Sequence, residues 1–127
     1  MAYIIDTQAF IWHATGDSKL SQTARQLIES NEICWLSMAS IWEMAIKCNL
    51  ESLVFAKPFD TLIEEQLALY DYKLYPIELR HTFLLSNLQQ HHKDPFDRLI
   101  IAQSIVDNVP VITIDSAFDL YPVHRIW

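Results

Sequence analysis

Two short apolar runs in this chain each stop at an aspartate. Tyr3-Ile4-Ile5 leads into Asp6, and Val109-Pro110-Val111-Ile112-Thr113-Ile114 leads into Asp115. Runs this short, with little polar alternation, read as strands covered on both faces, the condition met in parallel sheets. Amphipathic segments with helical spacing lie between them. Strands alternating with helices define an α/β chain with a parallel sheet covered on both sides. In such sheets the ligand crevice forms at the carboxyl ends of the strands, where Asp6 and Asp115 are placed. Two acids there repel, and at least one is held protonated unless a cation sits between them.

Taken in order, Tyr3–Ile5 is the first strand and Thr7–His13 a short helix closed by Gly16, the only glycine. Ser21 caps a second helix with Ala24, Leu27 and Ile28 inward. Ile33–Leu36 is the second strand, and Ser37 opens a third helix whose apolar stripe is Met38, Ile41, Trp42 and Ala45. Ser40, Glu43 and Lys47 share a different face of that helix. Glu43 is then either a surface partner of Lys47 in the favoured i, i+4 orientation or an acid turned toward the crevice. After an irregular link at Leu50–Ala56, helical spacing resumes behind Pro58. Tyr72–Pro76 is a short third strand, Glu78–Leu88 an amphipathic helix and Pro95–Asp107 the last long helix. Ala117–Leu120 makes at most one turn, and Val123–Trp127 an edge strand. With glycine so scarce, Asn31, Asn49, Asn87 and Asn108 are expected to supply the left-handed residues at helix ends.

The last long helix opens with Asp94-Pro95-Phe96-Asp97-Arg98. Asp94 reads as the N-cap and Pro95 as the first helical residue, where its missing N–H costs nothing. Asp97 falls in the positive first turn. One acid satisfies the cap, which leaves Asp97 free to face the same crevice as Asp6. Arg98 is read as pairing with a neighbouring acid in preference to a phosphate. His91 and His92 are a pair able to bind metal but are read as exposed loop, and His13, His81 and His124 are isolated.

The 127 residues suggest one domain spanning 1–127. A net charge of −7 speaks against a basic phosphate-binding surface. It leaves open an acidic pocket that reaches phosphate through a divalent cation. No apolar run is long enough to span a bilayer, and the N-terminus has no export signature. Cys34 and Cys48 lack metal-ligand spacing and read as free thiols in a reducing cytoplasm. There is no Gly-rich phosphate loop and no nucleophile turn. Carboxylates read as having no nearby Cys or His favour Mg2+ or Mn2+ over zinc, and such ions serve phosphoryl and phosphodiester chemistry.

The pattern resembles the PIN-domain ribonucleases, in particular the VapC-type toxins of type II toxin–antitoxin pairs. The matching segments are Ile5-Asp6-Thr7-Gln8-Ala9-Phe10-Ile11-Trp12, the Ser-Ile-Trp-Glu-Met-Ala-Ile-Lys core within Ser37–Lys47, His92–Gln103 with its Asp-Pro-Phe-Asp-Arg, Ile112–Phe118, and the ending Tyr121–Trp127. The resemblance implies a PIN-like three-layer α/β/α sandwich around a central parallel sheet. It implies an acidic pocket for one or two Mg2+ or Mn2+ ions, built from Asp6, Glu43, Asp97 and Asp115. Asp6 and Asp97 would be the main ligands, while Glu43 and Asp115 complete the pocket directly or through waters. Thr7, Ser40 and Thr113 would orient waters or carboxylates. The implied activity is hydrolysis of RNA phosphodiesters, single-stranded or looped RNA being able to bend into a narrow pocket. A VapB-type antitoxin and a homodimer are the implied partners. Gln8 stands where many relatives have His, and Glu51 near where many have Gly; neither change removes a proposed ligand.

A different class of function fits the same pattern: a PIN-like module that binds RNA or protein without cutting, its acids purely structural. Absence of metal-dependent cleavage would distinguish it. A phosphorylation-receiver domain also uses strand-end acids, but it needs a second acid beside the first, and here Asp6 is followed by Thr7.

Overall fold

The computed structural model describes residues 1–127. Its strands are β1 (Ala2–Ile5), β2 (Ile33–Ser37), β3 (Lys73–Tyr75), β4 (Val111–Ile112) and β5 (Arg125–Ile126). The helices are α1 (Thr7–Thr15), α2 (Gln22–Ile28), α3 (Met38–Asn49), α4 (Phe59–Tyr70), α5 (Leu79–Leu85) and α6 (Pro95–Asp107), with a 3-10 turn at Ser116–Leu120. All strand pairs are parallel, in the order β3-β2-β1-β4-β5.

The first strand is thus the centre of the sheet, which explains its uninterrupted apolar character. Alternation along β1 feeds two cores. Tyr3 and Ile5 point into one with Phe10, Ala24, Ile28, Met44 and Ile63 from α1 to α4. Ile4 points into the other with Ile100, Ile101, Val111 and Phe118, where α6 packs. The result is the expected α/β/α sandwich. Gln103, buried on α6, ties the layers together: its Oε1 accepts from Ser37 Oγ at 2.6 Å, and its Nε2 donates to the Pro76 carbonyl at 3.1 Å.

Local chemistry sets the helix boundaries. Ser21, Ser37 and Asp94 cap α2, α3 and α6 through their side chains, and Pro95 is the first residue of α6. Gly16 ends α1 at φ 68°. Of the four asparagines only Asn108 takes the left-handed conformation; Glu51 and Asp71 hold the other two non-glycine positions. The helices near Asn31 and Asn87 end through residues of negative φ, and after α3 the left-handed residue is Glu51, two positions beyond Asn49. Glu51 at φ 60° occupies a conformation that glycine adopts freely.

Helix α5 ends at Leu85, short of the expected Glu78–Leu88, and beyond it the Arg98 guanidinium takes the carbonyls of Leu88 and Gln89 at 3.1 and 2.8 Å. Asp107 anchors α5 to α6, accepting from the Tyr75 hydroxyl, Arg80 and His81 Nε2. Burial alone would raise the Asp107 pKa, but these donors outweigh it and hold the carboxyl well below the usual range. The ladder of β4 is confined to two residues of the expected Val109–Ile114 run. Thr113 and Asp115, just beyond it, turn toward the site.

Candidate active site

β1 has β2 on one side and β4 on the other, so the connections diverge at its carboxyl end and open a crevice. Asp6 stands at that point. It is buried, and it also caps α1: Oδ1 accepts from Ala9 N–H at 2.8 Å, while Oδ2 accepts from the Thr113 hydroxyl. The same Thr113 Oγ1 accepts from the Asp115 N–H at 3.0 Å, so one hydroxyl fixes the first and fourth acids relative to each other. Asp115 caps the 3-10 turn through Oδ1 and Ala117 N–H at 3.0 Å.

Helix α3 splits its expected apolar stripe. Met38 and Trp42 are exposed and Ile41 packs against the first core, while Ala39, Ser40, Glu43 and Met44 are buried. Trp42 instead packs edge-on against Phe96 with ring centroids 5.1 Å apart. The polar face turns inward because it finds partners there. Ser40 Oγ accepts from Thr7 Oγ1 at 2.8 Å, and Lys47 Nζ donates to Glu43 Oε2 at 2.7 Å. Both readings of Glu43 therefore meet in one geometry: it pairs with Lys47 and is only 5% exposed. Its Oε1 is buried with no hydrogen-bond partner.

Asp94 caps α6 with 2.8 and 3.1 Å bonds from Phe96 and Asp97 N–H. Asp97 then projects into the crevice. Asp6, Glu43, Asp97 and Asp115 all line one cavity of about 230 Å3, together with Thr7, Gln8, Ile11, Lys47, Asp94 and Ile114. A larger groove of about 630 Å3, lined by segments 28–32 and 69–71, lies at the opposite, amino end of the strands. That end of a parallel sheet is not where ligands bind.

His92 corrects the exposed-loop reading. His91 is exposed, but the His92 side chain is 12% accessible. Its Nε2 lies 2.8 Å from Asp115 Oδ2 and 3.2 Å from Asp97 Oδ2. Its proximity to the Asp94 cap was the only signal for this in the sequence. Lys47 enters the pocket as the partner of Glu43, the pairing its spacing offered.

Crowding of carboxylates shows in their acidity. Burial, followed by the charges of Asp115 and Glu43, raises Asp6 to about 6 against the lowering effect of its Thr113 and Ala9 bonds. Burial, then Asp94 and Asp6, raises Asp97 to about 7. Lys47 alone does not neutralise the pocket.

Arg98 also departs from expectation, since it pairs with no acid. It is buried and donates to the carbonyls of Leu88, Gln89 and His92, while Tyr121 Oη lies 3.4 Å from its Nη1. Tyr121 donates in turn to the Gln89 carbonyl and accepts from His92 N–H, both at 2.8 Å. Arg98 is therefore the pin of the 88–92 loop that carries His92. Arg98→Ala strands those carbonyls and is expected to lower stability by about 3 kcal/mol. Arg98→Lys, lacking the planar fork, should recover less than half of that. Urea unfolding of the three proteins measures both losses.

Carboxylates converging at the carboxyl edge of a parallel α/β sheet define the class: a three-layer domain with an acidic pocket at its strand-order switch. The PIN domain family profile matches residues 3–123, and the chain belongs to the PIN domain family. Comparison with curated protein sequences gives no match. Among solved structures, the chain is similar to VapBC2 from Rickettsia felis bound to a DNA fragment from their promoter, at TM-score 0.74 and 15% identity, covering 99% of this chain and 98% of that one. DNA-bound VapBC from Salmonella typhimurium is similar at TM-score 0.73 and 12% identity, covering 99% and 97% of the two chains. FitAcB from Neisseria gonorrhoeae follows at TM-score 0.70 and 15% identity, covering 98% and 96%. At these identities the likeness is one of fold. No helix of the chain is long and apolar enough to cross a membrane.

Proposed function

We propose that this protein is a Mg2+- or Mn2+-dependent endoribonuclease, the toxin of a VapBC-type pair, with Asp6, Glu43, Asp97 and Asp115 forming its catalytic pocket. The observation that carries this reading is the unpartnered, buried Oε1 of Glu43 in a cavity shared with three further carboxylates. A buried carboxylate oxygen without a donor is costly unless a cation meets it. The donor set, all carboxylate oxygen and no thiolate, fits a hard divalent ion. Asp6, Asp97 and Glu43 would hold it, and Asp115 would complete the pocket.

A bound ion supplies charge neutralisation for a phosphodiester and a more acidic water. The chain's own groups supply placement. Thr113 fixes Asp6, the α6 first turn fixes Asp97, and Lys47 holds Glu43 by Oε2, leaving Oε1 without a protein partner. The narrow, acidic mouth repels a nucleic acid except where an ion mediates, which suits a flexible single strand or loop over a stiff duplex. The VapBC and FitAcB neighbours support a VapB-type antitoxin as partner. The exposed Met38, Trp42, Ile46 and Leu50 along α3 support a homodimer.

The test is cleavage of a total RNA mixture by antitoxin-free protein in Mg2+ or Mn2+, with EDTA and Asp6→Asn as controls. Cutting that needs the metal and fails in Asp6→Asn is the expected result. Folded wild-type protein that binds RNA without cutting it in either metal would sink the nuclease reading in favour of a binding module.

A further inference from the structure

His92, Asp97 and Asp115 bring one ligand atom each to within 4.8 Å of one another, the arrangement of a mixed nitrogen–oxygen metal site. The hydrogen bonds around the imidazole assign it differently. The backbone N–H of Asp94 donates to His92 Nδ1 at 3.1 Å, so Nδ1 presents its lone pair. In a neutral ring the proton is then on Nε2, which lies 2.8 Å from Asp115 Oδ2 and 3.2 Å from Asp97 Oδ2.

The ring has no easy alternative. A flip would replace both bonded nitrogens by carbons. Phe118 packs edge-on at a centroid distance of 5.8 Å, and the loop beneath is pinned by Arg98 and Tyr121. His81 repeats the arrangement at α5, with Nδ1 accepting from the Glu78 N–H and Nε2 meeting Asp107.

We propose that His92 is a positioning residue of the acidic pocket and not one of its metal ligands: through Nε2–H it holds Asp115 in the hydrogen-bonded frame. This inference rests on the metal-site reading above. Both oxygens of Asp115 are engaged, Oδ1 by Ala117 N–H and Oδ2 by His92. Of Asp97, only Oδ2 meets His92. The Asp94 cap gains a second task, since its N–H fixes the tautomer of His92 while its side chain starts α6.

Two measurements without RNA test this. In nitrogen-15 spectra of the unmutated protein, assigned by comparison with His92→Gln, His92 should show a protonated Nε2 and a bare Nδ1, unchanged when Mg2+ is added. A bare Nε2, a doubly protonated ring, or loss of the Nε2 proton on adding Mg2+ would overturn the assignment, and this readout holds even where a variant does not fold. By calorimetry, folded His92→Ala should bind Mn2+ about 10- to 100-fold more weakly than wild type. His92→Gln, whose amide N–H can still donate to Asp115, should recover most of that loss. Wild-type binding with unaltered affinity in His92→Ala would overturn the role of His92 alone. A wild-type protein that binds no Mn2+ would overturn the metal site itself, and the inference with it.

Discussion

Asp97→Asn should abolish metal-dependent RNA cleavage and, at the same time, make the metal-free protein more stable at pH 7.5. The two effects have one cause. Asp97 is held at about 7, against 3.8 for an ordinary aspartate, by burial and by the charges of Asp94 and Asp6. Ionising it in the folded, metal-free pocket costs on the order of 1.4 kcal/mol per pKa unit. Replacing the carboxylate with an amide removes that cost. The opposing loss, a negative charge in the first turn of α6, is about 0.3–1 kcal/mol. The first effect exceeds the second, so the balance favours the variant. Cleavage should fall at least about a thousandfold, about 4 kcal/mol of barrier, and Mn2+ should no longer raise the melting temperature. A purely structural acid at the same position would give the reverse: lower stability and intact activity. Paired melting curves and RNA cleavage assays on the two proteins decide between them.

The second large effect is the pH dependence of stability in the absence of metal. Asp6 and Asp97 have folded-state pKa values of about 6 and about 7, both raised from 3.8. Between about pH 4 and pH 7 the folded protein retains protons that the unfolded chain has released, so stability falls as pH rises through this window. The destabilisation is complete above about pH 7 and absent below about pH 4. Asp107 works in the opposite sense: its pKa is depressed in the folded state, so the stability it contributes is present above about 4 and lost in stronger acid. Metal-free protein should therefore melt highest near pH 4 to 5 and lose a few kcal/mol by pH 7.5. Mn2+ at about a hundred times its Kd restores about 2.7 kcal/mol, a rise of about 10 °C for a domain of this size. Melting curves from pH 4 to 8, with EDTA or with Mn2+, measure both. A flat EDTA profile across pH 4 to 7 would contradict the electrostatics of the pocket.

Much of this was legible in the chain because the four acids sit at junctions between elements. Asp6 and Asp115 follow apolar runs, Asp97 sits in a capped first turn, and Glu43 shares a helix face with Ser40. Junctions are marked locally, by caps, prolines and the end of an apolar run, so the pattern carries them. The orientation of α3 was not legible. Periodicity separates two faces of a helix, but which of them turns inward depends on partners far along the chain. Here Thr7 and the cavity take the polar face, and Phe96 receives Trp42. Arg98 was misread for a similar reason. Its acceptors are main-chain carbonyls of an irregular loop, which every sequence possesses and none advertises. His92 belonged to that loop, so its place in the pocket became visible only once Arg98 and Tyr121 had fixed the path of the backbone.

The Thr113 hydroxyl meets Asp6 across 107 positions of chain. Asp6 follows β1, while Thr113 and Asp115 follow β4, the later of the two strands that flank β1. Until β4 is made, β1 lacks one of its two neighbours, and the pocket lacks a wall. Contacts so distant in sequence also form late in folding, after the loop-closure cost has been met. A growing chain therefore carries Asp6, Glu43 and Asp97 as an unfinished pocket until β4 and the residues just after it have been added.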